Sequence, residues 1–297
     1  MTKDISRNIF LRGIIRRMYS KPKFIGRYYL VKLISKLFRI PMHPVLIEVS
    51  SGLKIEVNPY IDKGVESALF FTGTYEAGTL SFISEHLNEG DCFVDIGANI
   101  GLMSIIAAQK VGFHGRVISI EPNPSTAEIL HRNITYNHVK NIEVIPMALG
   151  SKPGKALIFP NWHINRGGAS LIRKGDGEAG IEVEVSTLDS LLNKLNNKPK
   201  MLKIDVEGFE LEVLRGASKC LQHKNPPIII VEISAERETS GGHFSSILEF
   251  IKMQNQYNFF VNIGGKESKS TLKQIEFDGK LPLHDNVYCI PSLNANK

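Results

Sequence analysis

The sequence reads as an α/β fold built on a mostly parallel sheet with helices on both faces. Three observations carry that reading. From Asp91 onward, apolar runs of five to seven residues alternate with segments of helical periodicity. The runs are rich in Val and Ile and nearly continuous, as strands buried on both faces must be. Third, 297 residues bury a large core without disulfide or metal staples. A hydrophobic content of 42% with 22% charged residues excludes collagen-like, disordered and integral-membrane classes. No run approaches the ~18 apolar residues of a membrane helix.

The elements follow in order. Phe10, Leu11, Ile14, Ile15 and Met18 share one helical face opposite Arg12, Arg16 and Arg17, and Leu30, Leu33, Ile34 and Leu37 repeat the pattern after Pro22 and Gly26. Residues 1–40 sum to +10, whereas the remainder sums to −4, so the net +6 comes from this arm. Accessory helices packed on the main domain or on a second copy of the chain are one reading of the arm. A peripheral anchor on anionic membrane is another, and a nucleic-acid arm has the least support because the body is acidic. The three arginines interrupt any secretory signal. Residues 45–57 alternate about Ser51-Gly52 as a β-hairpin, and Tyr75 to Leu87 is helical. Strands are expected at 92–97, 116–121, 142–148, 201–205 and 228–233, with helices at 100–111, 124–137 and 207–221. Residues 151–186 break the rhythm and form an inserted loop-and-strand region. A helix at 245–256 and strands at 257–263 and 286–290 close the chain, leaving room for an antiparallel hairpin at the sheet edge. The boundaries are thus an arm at 1–44, a hairpin and linker at 45–71, and a main domain at 72–297. Cys92, Cys220 and Cys289 are odd in number and far apart. That pattern argues against a disulfide framework or zinc site and for a reducing, cytoplasmic setting.

The chemistry concentrates where Asp95-Ile96-Gly97-Ala98-Asn99-Ile100-Gly101 turns from strand to helix. Ligands of open α/β sheets bind outside the carboxyl ends of the strands, and Glu121 closes the next strand where a carboxylate can take both ribose hydroxyls. A dinucleotide fingerprint needs glycines where Asn99 and Leu102 stand, and a P-loop lysine is absent. Asp95 would repel a diphosphate but suits an ammonium. S-adenosylmethionine carries an ammonium, a sulfonium, a ribose and an adenine, and no phosphate.

These residues belong to a wider pattern. TGTYEAGTLSFI (72–83), GDCFVDIGANIGLMSIIAA (90–108), VISIEPNP (117–124), IPMALG (145–150), GGASL (167–171), STLDSLL (186–192), LKIDVEGFELEVLRGA (202–217) and PPIIIVEIS (226–234) resemble the FkbM family of class I S-adenosylmethionine-dependent methyltransferases. The glycine turn alone speaks only for the class; LKIDVEGFE is far more specific. The resemblance implies a Rossmann-like seven-stranded methyltransferase sheet, mostly parallel with one antiparallel edge strand. It also implies methyl transfer to a hydroxyl oxygen, often on a sugar or secondary metabolite. By motif position, Asp95, Gly97, Asn99 and Gly101 line the methionine part, and Glu121 holds the ribose with Pro122 and Asn123 beside it. Met147 and Ala148 edge the adenine, and Glu76 approaches the cofactor's amino-acid end.

Asp205 ends the fourth parallel strand beside the expected methyl. A hydroxyl nucleophile needs a base or a metal. Asp205 with Glu207 supplies the base, and Asp205, Glu207 and Glu232 together offer hard oxygen ligands to magnesium or another divalent cation. A competing reading makes Glu207 and Glu210 a charged first helical turn and Glu232 a structural carboxylate. His163, on the inserted loop near Trp162, is a second candidate base or a surface histidine. Asn225-Pro226-Pro227-Ile228 lacks the aromatic residue and the placement of an amino-directed methyltransferase motif and reads as a loop. A glycan O-methyltransferase therefore leads, with a catalytically silent cofactor-binding scaffold and a nicotinamide oxidoreductase as alternatives. No nucleic-acid partner is expected; homo-oligomerisation stays open.

Overall fold

A computed structural model describes residues 40–161, 165–170, 180–234, 244–269, 271–276 and 284–292. The amphipathic arm and His163 with Trp162 lie outside these residues. Contacts divide the chain into two units, 1–75 with 161–166 and 76–160 with 167–297. Among the described residues no helix is long and apolar enough to cross a membrane.

In the first unit, β1 (Val45–Glu48) and β2 (Lys54–Val57) form the expected antiparallel hairpin. Its alternation buries Ile47, Ile55 and Val57. The helix α1 (Val65–Thr72), for which the sequence offered no periodic signal, follows and buries Val65, Leu69 and Phe70.

The second unit begins with α2 (Ala77–His86), then β3 (Cys92–Ile96), α3 (Leu102–Val111), β4 (Arg116–Ile120), α4 (Pro124–Tyr136) and β5 (Ile142–Ile145). Four short strands come next: β6 (Ala148–Leu149), β7 (Gly154–Asn161), β8 (Asn165–Ser170) and β9 (Ile181–Ser186). After them the α/β rhythm resumes with α5 (Leu188–Leu195), β10 (Met201–Ile204), α6 (Glu210–Arg215), α7 (Ser218–Leu221), β11 (Ile228–Ser234), α8 (Phe244–Gln254), β12 (Tyr257–Asn262), β13 (Leu272–Ile275) and β14 (His284–Pro291). Local chemistry sets several boundaries. Asn123 caps α4 by accepting from the Ser125 N–H, with Pro124 at the first helical position. Thr187 caps α5 in the same way through Ser190, and Leu188, Leu191 and Leu192 are buried along it. The expected run at 142–148 breaks in two because β6 leaves the main sheet to pair with β9.

The main sheet has eight strands in the order β13-β12-β14-β11-β10-β3-β4-β5. Five neighbouring strands, β11 to β5, are parallel. β14 is antiparallel to both β11 and β12, so it lies inside the sheet, not at its edge. β13 pairs antiparallel with β12 and forms the edge itself. The α/β class stands; the seventh strand is internal and an eighth is added. The region 151–186, expected as a loop-and-strand insertion, supplies strands to a second sheet of order β6-β9-β7-β8.

Strand alternation divides the core into two layers. Val94, Ile96, Leu202, Ile204, Ile229 and Val231 pack with α5, α6, α7 and α8 residues on one face, while Phe93, Met201, Ile228 and Ile230 pack with α2 and α3 on the other. Each buried aliphatic side chain contributes roughly 1.5–3 kcal/mol. On the α2/α3 face the apolar layer stops near the strand ends, where the same alternation places Asp95, Ser119, Lys203 and Glu232, all buried.

Candidate active site

The turn after β3 begins the site. Gly97 has φ +82°, and a Cβ there would overlap the backbone carbonyl oxygen of Asp205. The space at Gly97 is thus taken by the end of β10, which approaches closely enough for the Asp205 N–H to donate to the Ile96 carbonyl at 3.0 Å. Gly97 and Ala98 both donate to Ile120 (2.9 and 3.0 Å), tying the turn to β4. Gly101 caps α3 in the left-handed region, against Leu130. Of the five non-glycine residues with positive φ among the described residues, three belong to this region: Glu76 (46°), Asn99 (50°) and Glu207 (58°). Such backbone is costly and persists where surrounding structure enforces it.

Glu121, just past β4, is clamped by two backbone donors, Asn99 N–H to Oε2 and Asn123 N–H to Oε1, each at 2.9 Å. Burial pushes its pKa up to about 7, more than those two bonds pull it down. A hollow of about 480 Å³, open solvent included, lies against it. Gly97, Glu121, Pro122, Met147, Ala148, Asp205 and Glu207 all line this hollow. Three buried polar atoms nearby in sequence have no partner among the described residues: Asp95 Oδ1, Asn99 Oδ1 and Asn123 Nδ2. Buried polar groups are normally satisfied; these three belong to the turns at residues 95–101 and 121–123, and none of their residues lines the hollow itself. Of the residues expected to hold S-adenosylmethionine, Gly97, Glu121, Pro122, Met147 and Ala148 line the hollow, whereas Asp95, Asn99, Gly101, Asn123 and Glu76 do not.

Glu76 is fully buried at the N-cap of α2. Its Oε2 accepts from Asn286 Nδ2 on β14 at 2.9 Å, and the same amide donates to Thr79 Oγ1 at 2.8 Å. Its N–H donates to Glu267 at 2.8 Å.

The carboxylates form a group different from the expected one. Oxygens of Glu76, Asp205 and Glu232 lie within 4.8 Å of one another. Glu207 is not in that trio: α6 starts only at Glu210, and Glu207 sits in the strained turn before it. Glu210 closes that turn, accepting from Gly208 N–H at 3.0 Å, which is a structural role. The trio is also counter-charged. Lys203 donates to Asp205 Oδ2 at 2.9 Å, and Lys266 donates to Glu232 Oε1 at 2.6 Å and pairs with Glu76 Oε1 at 3.0 Å. Burial opposes the charge of Lys203, but Asp205, Asp95 and Glu76 outweigh it and hold its pKa above the ordinary lysine value. Burial and the nearby Asp205 raise Glu232 to about 8, against the pull of Lys266. Asp95 is raised by burial despite Lys203 and the Ser104 hydroxyl, which donates at 2.6 Å.

Sequence reasoning assigned no role to Lys203, Lys266 or Asn286. Lys203 carried a usable signal, a lysine inside the apolar strand MLKI, since a buried ammonium requires acid partners. Lys266 and Asn286 carried none.

The family model of the methyltransferase FkbM domain matches residues 95–261. The chain is 32% identical over 162 residues to the hexuronic acid methyltransferase AglP of Haloferax volcanii, covering 54% of this chain and 63% of AglP. It is 29% identical over 156 residues to methyltransferase sdnD of Sordaria araneosa, covering 42% of this chain and 60% of sdnD. These alignments thus span about three fifths of each relative's length. Among solved structures, an S-adenosylmethionine-dependent methyltransferase of Aquifex aeolicus aligns with TM-score 0.41 and 14% identity, covering 75% of this chain and 92% of that one.

Proposed function

The chain belongs to the FkbM methyltransferase family, and given that membership we propose that it transfers a methyl group from S-adenosylmethionine to a hydroxyl oxygen of a sugar or another polyhydroxylated metabolite. The observation that carries this reading is Asp205: one carboxylate lines the same hollow as Glu121, Met147 and Ala148, and also belongs to the buried trio. The sugar class draws support from AglP, whose name states a hexuronic acid substrate.

When bound, S-adenosylmethionine supplies an electrophilic methyl group on a sulfonium. Glu121 accepts the ribose hydroxyls, its carboxylate already oriented by Asn99 and Asn123. Asp95 offers its unpartnered oxygen to the ammonium. Met147 and Ala148 wall the adenine end. Asp205 would take the proton of an acceptor hydroxyl aligned with the sulfonium methyl, so that the oxygen would gain the methyl and the carbon–sulfur electron pair would stay on sulfur. Charge is neutralised in that step, so alignment and exclusion of water give much of the rate. No step runs through a divalent cation, because the trio is already bridged by ammonium groups.

Calorimetry with S-adenosylmethionine and NAD, followed by an acceptor screen with labelled methyl donor, tests the reading. Binding of the first alone with label transferred to a glycan hydroxyl is expected; binding without transfer to any acceptor favours the silent scaffold. Asp205→Asn keeps donor binding within a few-fold while turnover falls by about two to four orders of magnitude, the usual range for a lost general base. Near wild-type turnover would remove Asp205 from that role and make His163 the next candidate.

A further inference from the structure

We propose that Lys266 is a built-in counter-cation, its ammonium holding Glu76 and Glu232 beside Asp205 in the arrangement a divalent ion would otherwise impose. The catalytic consequence rests on the methyltransferase reading; the occupancy does not. Three carboxylate oxygens within 4.8 Å of one another is the spacing by which a single cation gathers hard ligands. Here Nζ of Lys266 reaches two of the three, at 2.6 and 3.0 Å, and its side chain is only 12% exposed. The third, Asp205, is held by Lys203 at 2.9 Å.

The lysine is carried there by its backbone. Its N–H donates to Asp285 Oδ1 at 2.9 Å, and its carbonyl accepts from Gly78 N–H at 2.9 Å. Both partners are fixed, one at the interior strand β14 and one in the first turn of α2. A Cβ at Gly78 would overlap the backbone of this connection, so α2 and residues 263–269 lie in direct contact. Glu76 in turn is held by Asn286 and Glu267. The ammonium therefore does not drift into the trio from solvent; Asp285 on β14, Gly78 and Glu76 at the start of α2, and Glu232 on β11 place it. Unlike a bound ion, it cannot be removed by chelation.

Removing the ammonium without its volume tests this. Manganese binding to the full chain is followed by the paramagnetic resonance of free Mn²⁺, with wild type, Lys266→Met and Lys266→Met/Glu232→Gln compared. Wild type is expected to leave Mn²⁺ free, Lys266→Met to take up about one equivalent, and the double variant to lose it. Turnover of wild type should be indifferent to EDTA. In Lys266→Met it should drop at least about tenfold at unchanged KM for S-adenosylmethionine, with partial recovery on adding Mn²⁺. One equivalent of Mn²⁺ bound by wild type and lost in Glu232→Gln would overturn the proposal, and that comparison stands even if the lysine variant does not fold. So would a folded Lys266→Met protein that takes up no Mn²⁺. If no acceptor is ever methylated, the methyltransferase reading fails while the Mn²⁺ comparison still decides the role of Lys266.

Discussion

Glu121 couples proton and cofactor. Its pKa of about 7 in the free protein, against an ordinary 4.5, means that below neutrality the carboxylate is protonated and cannot accept from both ribose hydroxyls. Affinity for S-adenosylmethionine should therefore fall as pH drops below about 7 and level off above it, as isothermal calorimetry from pH 5.5 to 8.5 would show. The stability of the free protein has the opposite slope. Between 4.5 and 7 the unfolded chain has lost a proton the folded one keeps, so this group destabilises the fold as pH rises through that window. Glu121→Gln should flatten the binding profile and weaken affinity by about 1.5–3 kcal/mol, the range for a hydrogen bond to a charged group. At Gly97, substitution by Ala adds a clash with the Asp205 carbonyl to an unfavourable φ. A loss of about 3 kcal/mol in urea denaturation is expected from overpacking and left-handed strain together. Asp95, Glu121 and Asp205 were legible in the sequence because each sits at the end of an apolar run, where topology alone puts strand ends beside ligands. Lys266 was not, because its place depends on a turn packing against Gly78 of α2, 188 residues earlier, and no local pattern encodes that.

At the scale of elements, the parallel strands and α2, α3, α4 and α8 were located well; α4 buries one apolar face, whereas α3 is buried nearly all round and is marked instead by the glycine turn before it. Periodicity failed where regularity is short. The expected helix at 207–221 is two helices, α6 and α7, preceded by the turn that Glu207 and Glu210 shape. The β6–β9 sheet was read as a mere insertion because only Glu182 to Val185 alternates visibly. The contact between α2 and the connection after β12 is the element-level feature with a measurable outcome. Gly78→Ala pushes that connection away from α2. It should cost about 1–3 kcal/mol of stability and lower turnover by disturbing Glu76 and Lys266. Donor binding in the hollow, which neither residue lines, should change little. Equal losses of donor affinity and turnover would show that the hollow and the trio are one mechanical unit.

For the whole molecule, we propose that the +10 of residues 1–40, against −4 for the rest, binds anionic membrane. The full chain should float with anionic vesicles and not with neutral ones, and added salt should release it as charge is screened. A chain lacking residues 1–40 should stay in solution yet bind S-adenosylmethionine unchanged; loss of binding would place the arm in the cofactor site. The interior position of β14 sets the order in which activity can emerge during folding. Asn286 meets Glu76 across 210 residues of sequence, and β14 fills the gap between β11 and β12. Such distant pairings form slowly, because the loop must close before any contact rewards it. A ribosome-bound chain that ends before β14 lacks both the strand and the amide that orients Glu76, whatever its cofactor turn has already achieved. Competence thus waits on the insertion of β14 between β11 and β12, and on refolding from urea, turnover should return with the slowest phase while binding of the methyl donor returns earlier.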